Sequence, residues 1–323
     1  MSKVLNGNLD AMKVLLAVMV VALHCKLLGG NYTWAGYLLC NGLFRVAVPT
    51  FFIINGYYLY QTLSGGHSFA QWFKRVLLIY LFWMLVYSPQ YVDPATIASI
   101  GGVLGVLKSL LIGYFHLWYL MGMLGGGVML LVLRHWRSSV LIGLALVAFL
   151  IGLGLQYARV YFELPNGFLQ HFNQNDYTAR NFLFMGFPFM AIGFLCARHQ
   201  IAQRVGRRGI WCWLLLGLGL TLAEAGLNFA LRADVEQNFD FLASLLVITP
   251  ALFLLPMVYP RASESNFAAK LSSAVYYVHP WFILGALSLG MSYGNSMAGL
   301  VLALAFGVAP LLILASRRVR FIL

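Results

Sequence analysis

The sequence predicts an all-α, polytopic integral membrane protein. Of its 323 residues, 61% are hydrophobic and only 9% are charged, and the mean hydropathy is +0.82. Soluble domains contain about 45–50% apolar and about 25% charged residues, so an ordinary soluble protein is excluded. Apolar runs of about 20 residues recur along the whole chain, which indicates membrane-spanning helices and not the shorter, alternating strands of a barrel.

Hydropathy and helix-breaking residues divide the chain into about ten predicted spans. No polar stretch is long enough for a separate soluble domain, so residues 1–323 are predicted to form one membrane-embedded domain. The interrupted apolar segment 94–113 is predicted to lie along the outer interface. The first span has polar residues inside it and no small-residue cleavage site, which favours a retained helix over a signal peptide. The spans are predicted at about 9–29, 43–63, 74–93, 114–133, 138–158, 181–197, 210–230, 240–260, 271–292 and 297–315.

The distribution of charged residues predicts the orientation of these spans. If the N-terminus is cytoplasmic, fifteen of the 21 lysines and arginines fall on the inner side, while most acidic residues fall on the outer side. Both termini are therefore predicted to be cytoplasmic, and the net charge of +12 reflects membrane topology and not nucleic-acid binding. The four cysteines lack C-x-x-C spacing and are predicted to be buried thiols.

The first predicted span contains two ionisable residues. Lys13 and His24 are eleven residues apart, which on an α-helix returns to nearly the same face about 16 Å further along the axis. Because ionisable side chains in a bilayer usually face protein or a water-filled cavity, the pair suggests a polar passage. The alternative is that Lys13 extends to the cytoplasmic headgroups while His24 is a hydrogen-bonded packing residue.

The second predicted span opens with F-R-V-A-V-P-T-F-F-I-I-N-G-Y-Y-L, residues 44–59. Pro49 is expected to kink or open the helix, and Asn55 precedes Gly56, whose missing Cβ allows another group to approach closely. Arg45 is predicted at the outer end, near the depth of His24. It either anchors the helix end or, together with His24, stabilises a developing negative charge.

Three further polar residues stand at or within predicted spans. His116 begins the fourth span beside Trp and Tyr, and it is either an aromatic-belt residue or part of a site. Arg180 precedes the sixth span, which contains Pro188. His279 precedes Pro280 in the ninth span, and its role is either functional or structural, because an imidazole N–H can bond the backbone carbonyl that a proline leaves free.

Common motifs of soluble enzymes are absent from the sequence. It contains no P-loop, no G-x-S-x-G elbow, no H-E-x-x-H and no aspartate pair placed for Mg²⁺. A soluble hydrolase or a metalloenzyme therefore has no support, and no metal is predicted.

Five landmarks, in order along the full length, resemble the integral-membrane acyltransferase type 3 family. Its members are bacterial enzymes with about ten helices that commonly O-acetylate surface glycans. The chain is similar to the short single-domain type, such as the O-acetyltransferase of enterobacterial common antigen. The landmarks are Lys13 with His24, where the family has Arg and His at the same spacing; residues 45–57, which match R-x-x-V-P-x-F-F-x-I-S-G-Y except at Asn55; His116-Leu117-Trp118; Arg180 to Pro188, similar to R-x-x-x-F-x-x-x-P; and Tyr276 to Pro280, similar to Y-x-x-H-P.

This resemblance implies catalytic roles for three residues. His24 is expected to act as a general base or to carry the acyl group itself. Arg45 and Arg180 are expected to orient the acceptor or to stabilise the oxyanion. Asn55 replaces the family's Ser, so no nucleophile is expected at that position.

The resemblance also implies binding roles. Lys13 and Arg75 are expected to pair with the phosphates of acyl-CoA, although Lys13 lacks the bidentate fork of the family's Arg. His116 and Glu163 are expected to bind the acceptor or to orient His24. His279 is also expected to contribute to acceptor binding.

The expected function is transfer of an acyl group, most simply from cytoplasmic acetyl-CoA, to a hydroxyl of a cell-surface glycan or its lipid-linked precursor. The expected location is the bacterial cytoplasmic (inner) membrane. The alternative is a transporter or flippase of a glycan intermediate or small solute, since broken helices with polar groups at midplane are also typical of transporters.

Overall fold

The computed structural model describes residues 5–95, 97–162, 167, 175–231, 238–319 and 321–323, which are mainly helical. Its α-helices are α1 Gly7–His24, α2 Trp34–Cys40, α3 Ala47–Ser64, α4 Phe69–Tyr87, α5 Ile100–Ile112, α6 Trp118–Leu133, α7 Ser138–Tyr161, α8 Phe187–Arg198, α9 Ile201–Arg204, α10 Arg207–Leu231, α11 Leu245–Val258, α12 Phe267–Ser288 and α13 Asn295–Ala315. Two strands, β1 Leu5–Asn6 and β2 Ala262–Ser263, form one short antiparallel pair.

The helices confirm the predicted class of protein. Seven stretches among the described residues are long and apolar enough to cross a membrane, and they contain α1, α3, α4, α6, α7, α10 and α13. Each of the ten predicted spans overlaps a helix, but α8 and α11 are shorter apolar helices, and α12 is not among the seven either. The number ten and the cytoplasmic termini therefore stay predictions.

The segment predicted along the outer interface forms its own helix, α5. Ser99 caps it by accepting a hydrogen bond from the backbone N–H of Gly102 at 3.0 Å, and none of its residues is buried. Its surface position agrees with an interfacial helix, which needs no partner inside a bundle.

One of the cysteines differs from the prediction. Cys25, Cys40 and Cys196 are buried as predicted, but Cys212 is exposed on α10. It lies on an outward face of that helix where Trp211, Leu215 and Leu216 are also exposed. An apolar thiol on such a face is accommodated by lipid as readily as by a protein interior.

Glycines bring α3 and α8 into direct backbone contact. A Cβ added at Gly56 of α3 would overlap the backbone carbonyl of Met190, and one added at Gly193 of α8 would overlap that of Ile53. Close packing of this kind holds helices together where lipid gives no hydrophobic driving force. The neighbouring Asn55 donates hydrogen bonds to the Phe51 carbonyl at 2.9 Å and to the Tyr119 hydroxyl at 2.6 Å, and so ties α3 to α6.

Helix α1 is joined to α12 along its length. Its start is tied down by the β1–β2 pair, in which Leu5 is opposite Ser263. Further along, the Ser272 hydroxyl of α12 donates to the Lys13 carbonyl at 2.8 Å. Beyond the end of α1, the backbone N–H of Gly294 donates to the Cys25 carbonyl, also at 2.8 Å. These contacts fix the register in which side chains of α1 meet those of α12.

Candidate active site

A cavity of about 380 Å³ lies where α1 ends and where α3 and α6 begin. The segments before α8 and before α11 complete its wall, so the cavity lies on the side that the sequence predicts to be outer. Its volume is in the lower part of the range of small-molecule sites. Four of the eight predicted site residues line it, namely His24, Arg45, His116 and Arg180.

His24, the last residue of α1, pairs with His279 of α12. The Nδ1 atom of His24 lies 2.9 Å from Nε2 of His279, and the two rings are stacked with their centroids 5.2 Å apart. His279 is fully buried, whereas His24 is partly exposed and lines the cavity. The pair therefore links a ring in the cavity wall to a ring inside the helix bundle.

The backbone of α12 fixes the proton positions in this pair. Pro280 has no N–H, so the carbonyl of Tyr276, four residues earlier, lacks its helical donor. His279 Nδ1 lies 2.8 Å from that carbonyl oxygen. Because a carbonyl only accepts, Nδ1 must carry the proton, and Nε2 of the neutral ring is then an acceptor. The hydrogen bond predicted from His279 to the carbonyl freed by Pro280 is thus present.

The tautomer of His24 follows from the acceptor role of His279 Nε2. Its Nδ1–H donates to His279 Nε2, so its own Nε2 atom has no proton in the neutral ring. No group of the described chain donates a hydrogen bond to this Nε2. A basic nitrogen held in a fixed orientation at a cavity wall is what a general base requires.

His116 stands beside this pair in the short turn that precedes α6. Its ring centroid is 5.5 Å from that of His279 and 5.1 Å from that of Tyr276. The side chain is 2% exposed, and neither ring nitrogen makes a hydrogen bond of good geometry in the described chain. The Tyr276 hydroxyl instead donates to the His116 backbone carbonyl at 2.6 Å, which holds the turn against α12.

Arg45 is held by hydrogen bonds on all sides of its guanidinium group. Its Nε donates to the Cys40 carbonyl at 2.8 Å, and one terminal nitrogen donates to the Asn41 side chain at 2.9 Å. The other terminal nitrogen forms an ion pair with Asp240. Arg45 is 9% exposed, so this cation is fixed within the wall of the cavity.

Arg180 shares Asp240 with Arg45 but is held loosely. Its carboxylate contacts with described residues are 3.4 Å to Asp240 and 3.9 Å to Asp176. Its guanidinium carbon lies 5.3 Å from the centre of the Trp118 ring, a cation–π distance. The two predicted arginines are therefore brought together by one carboxylate.

Asp240 was not predicted as a site residue, although the sequence placed it among the outer acidic residues. It lies in the connection before α11, where burial acts to raise the pKa of its carboxyl group. The cations of Arg45, Arg180 and Arg159 outweigh burial and hold that pKa below its ordinary value. The carboxylate is therefore charged and serves as the common partner of the cations.

Gln156 of α7 positions the Asp240 segment and was also missed. Its side-chain oxygen accepts from the backbone N–H groups of Asp240 at 2.7 Å and Phe241 at 2.8 Å, while its nitrogen donates to the Phe241 carbonyl at 2.7 Å. The signal in the sequence was a glutamine within an otherwise apolar span, because polar groups in spans usually have a partner. The structure shows that its side chain is buried.

Comparison with known families adds to this geometry. A family model described as an acyltransferase domain, that of the acyltransferase type 3 family, matches residues 6–316. The chain belongs to this family. The landmarks that carried the resemblance therefore identify the family correctly, while the particular likeness to the enterobacterial common antigen enzyme stays an expectation.

Curated relatives of this acyltransferase-family chain are named as racemases. It is 28% identical over 302 residues to a serine/alanine racemase of Enterococcus gallinarum, covering 87% of the chain and 41% of that protein. It is 25% identical over 336 residues to an amino-acid racemase of Enterococcus faecalis, covering 98% of the chain and 47% of that protein. The chain thus spans less than half the length of these relatives. No solved structure matches significantly.

The cofactor-binding residues expected for an acyltransferase lie apart from the cavity. Lys13 forms an ion pair with Asp10 at 2.8 Å and lies 5.7 Å from the centre of the Tyr58 ring. Arg75 is exposed, and its one hydrogen bond among the described residues is a long one, 3.5 Å to the Leu323 carbonyl. Neither lines the cavity. Glu163, expected to bind the acceptor, lies outside the described residues.

Proposed function

We propose that this protein is a membrane-bound O-acyltransferase of the bacterial inner membrane. It transfers an acyl group, most simply acetyl, from cytoplasmic acyl-CoA to a hydroxyl of a cell-surface glycan or its lipid-linked precursor. The observation that carries the proposal is the His24–His279 pair, which leaves a basic nitrogen at the wall of a cavity with two arginines. Membership of the acyltransferase family supports the reaction class.

The chemistry follows from the proton positions. His24 Nε2 removes the proton of an acceptor hydroxyl while the hydroxyl oxygen attacks the thioester carbonyl carbon. A carbon–oxygen bond forms and the carbon–sulfur bond breaks. The proton then passes from His24 to the departing CoA thiolate. His279 stabilises the imidazolium that forms on His24 between these steps, because it accepts the Nδ1–H hydrogen bond.

The arginines supply positive charge where the reaction develops negative charge. Arg45 is fixed in the cavity wall by three partners, so it needs no reorganisation as the oxyanion forms. Preorganised charge in a site shielded from water is usually a large part of catalysis. On the cytoplasmic side, Lys13 and Arg75 bind phosphates of the donor, which requires Lys13 to exchange Asp10 for a phosphate.

The deciding experiment separates group transfer from transport. Membranes that contain the protein are incubated with acetyl-CoA labelled in the acetyl group and with surface glycan from the same bacterium. Label that enters the glycan and is released by mild base, as an ester is, supports the proposal. Unmodified glycan or solute that accumulates across sealed vesicles, with no labelled ester, would instead support a transporter or flippase.

A further inference from the structure

The two arginines of the cavity differ in how much of their hydrogen-bonding capacity is used. Arg45 uses all three of its nitrogens on protein partners. Arg180 has a Nε atom that is buried and makes no hydrogen bond within the described chain. Because leaving a buried charged donor unpaired costs free energy, the unfilled edge of Arg180 needs an explanation.

Among the described residues, no carboxylate fills that edge. Asp176 lies 2.7 Å from a terminal nitrogen of Arg159 but 3.9 Å from Arg180, so its stronger partner is Arg159. Asp240 makes its closer contact with Arg45 and lies 3.4 Å from Arg180. Within the described part of the chain, Arg180 therefore makes only long contacts with carboxylates, although ionised groups lie around it.

The cavity wall also carries an excess of positive charge. Among the described residues that line it, the cations are Lys26, Arg45 and Arg180, and the carboxylates are Asp176 and Asp240. The described part of the wall therefore carries one more cation than carboxylates. The Trp118 ring lies within cation–π distance of the Arg180 guanidinium carbon, a contact that helps to hold the group beside the cavity.

We propose that the acceptor carries an anionic group, a carboxylate or a phosphate, and that the edge of Arg180 formed by Nε and a terminal nitrogen binds it. A planar fork of two N–H donors matches two oxygens of either group. This inference rests on the proposed function, since it names the class of acceptor for the same cavity. Binding at Arg180 places the anionic sugar beside His24, so that a neighbouring hydroxyl meets the base.

A binding measurement tests the proposal without requiring turnover. The purified protein in phosphatidylcholine nanodiscs is titrated with glucuronate, glucose 1-phosphate and uncharged glucose, and binding is followed by saturation-transfer NMR. The anionic sugars are expected to bind about tenfold more tightly than glucose, as charge-assisted bidentate contacts would give. Equal binding of all three, or no saturable binding of either anionic sugar, would overturn the proposal.

Substitution at Arg180 locates the effect. Arg180→Gln should remove the preference for anionic sugars, while Arg180→Lys should keep a weaker preference because it retains charge but not the fork. The matched control is Arg208→Gln, which makes the same charge change at an exposed residue of α10 and should keep the full preference. If both Arg180 variants keep the full preference for anionic sugars, Arg180 is not the anion-binding residue. If the Gln variant does not fold, the Lys variant alone decides.

A third arm distinguishes an acceptor from a lipid headgroup. Replacing part of the phosphatidylcholine by phosphatidylglycerol should leave glucuronate binding unchanged, whereas strong competition would assign Arg180 to lipid phosphate and overturn the proposal. If the preference depends on Arg180 but no glycan is ever acetylated, the proposed function fails and the anion site stands. If acetyl transfer occurs but anionic sugars are not preferred, the anion site fails and the proposed function stands.

Discussion

The two ends of helix α1 treat their charged and polar groups differently. At its end, His24 has one nitrogen bound to His279, and its other nitrogen accepts no hydrogen bond from the described residues. The contacts of the nearby Arg180 with described carboxylates are all long. Near its start, Lys13 is paired at 2.8 Å with Asp10, a buried residue of the same helix. The C-terminal end of α1 is thus held in place with hydrogen-bonding capacity left over, whereas the cation near its N-terminal end is paired within the same helix.

This difference assigns different tasks to the two ends. Groups that act on a reacting atom gain from a fixed orientation, because they need no reorganisation as charge develops. A cation that must bind a ligand only part of the time can keep an internal partner, which it exchanges when the ligand arrives. We therefore expect substitutions at the cavity end to lower the rate, and substitutions near Lys13 to change the apparent affinity for the donor.

The largest effect is expected from His24→Ala. Loss of the general base should lower acyl transfer by about 10²–10⁴-fold. The measurement is initial rate of label transfer in membranes with matched amounts of inserted protein. The control is His67→Ala, which removes an exposed imidazole between α3 and α4 and should leave the rate unchanged. Full activity of the His24 variant would remove this residue from the mechanism.

A smaller loss of rate is expected from His279→Leu. The leucine cannot accept the Nδ1–H hydrogen bond of His24, so the imidazolium loses a stabilising partner and the tautomer is no longer fixed. A hydrogen bond to a charged group is worth about 1.5–3 kcal/mol, which corresponds to about 10–100-fold in kcat. His279→Gln, which retains an acceptor oxygen, should recover part of this loss. Equal rates for wild type and the Leu variant would refute the pairing role.

At the other end of α1, Lys13→Ala should raise the apparent KM for acetyl-CoA by about tenfold, as loss of a charge-assisted phosphate contact predicts. Its kcat should change much less than that of the His24 variant. Lys13→Arg restores the charge and the family's own residue, so its KM should be close to that of the wild type. An unchanged KM in the Ala variant would reject the phosphate role.

The smallest effect is expected from Asp10→Asn. This change removes the internal competitor of the phosphate while keeping the size of the side chain, so KM for acetyl-CoA should fall a few-fold. Steady-state kinetics over a range of donor concentrations measures it. A rise in KM would mean that Asp10 positions Lys13 for binding and does not compete with the donor.

Much of the fold was predictable because lipid restricts a chain so strongly. Each predicted span overlaps a helix, since the backbone in a bilayer must satisfy its own hydrogen bonds. His24, Arg45, His116 and Arg180 were predicted as site residues from the family landmarks, and all four line one cavity. Their catalytic and binding roles stay predictions.

The remaining parts depend on contacts between distant segments. The pairing of His24 with His279 spans 255 residues and requires the register of α1 on α12, which no local pattern encodes. Asp240 carried only the signal of an outer acidic residue, and its sharing between Arg45 and Arg180 depends on how Gln156 holds its segment. The ion pair of Lys13 with Asp10 was not predicted, although a spacing of three on one helix favours such a pair.

The most direct test of transfer across the membrane uses sealed proteoliposomes with labelled acetyl-CoA on the cytoplasmic side and glycan acceptor only on the other side. The measured quantity is the labelled ester on the acceptor side. We predict that the wild type forms this product and that His24→Ala does not. With donor and acceptor both on the cavity side, no labelled ester is expected. Product formed with both substrates on the cavity side alone would contradict a donor that enters from the cytoplasm.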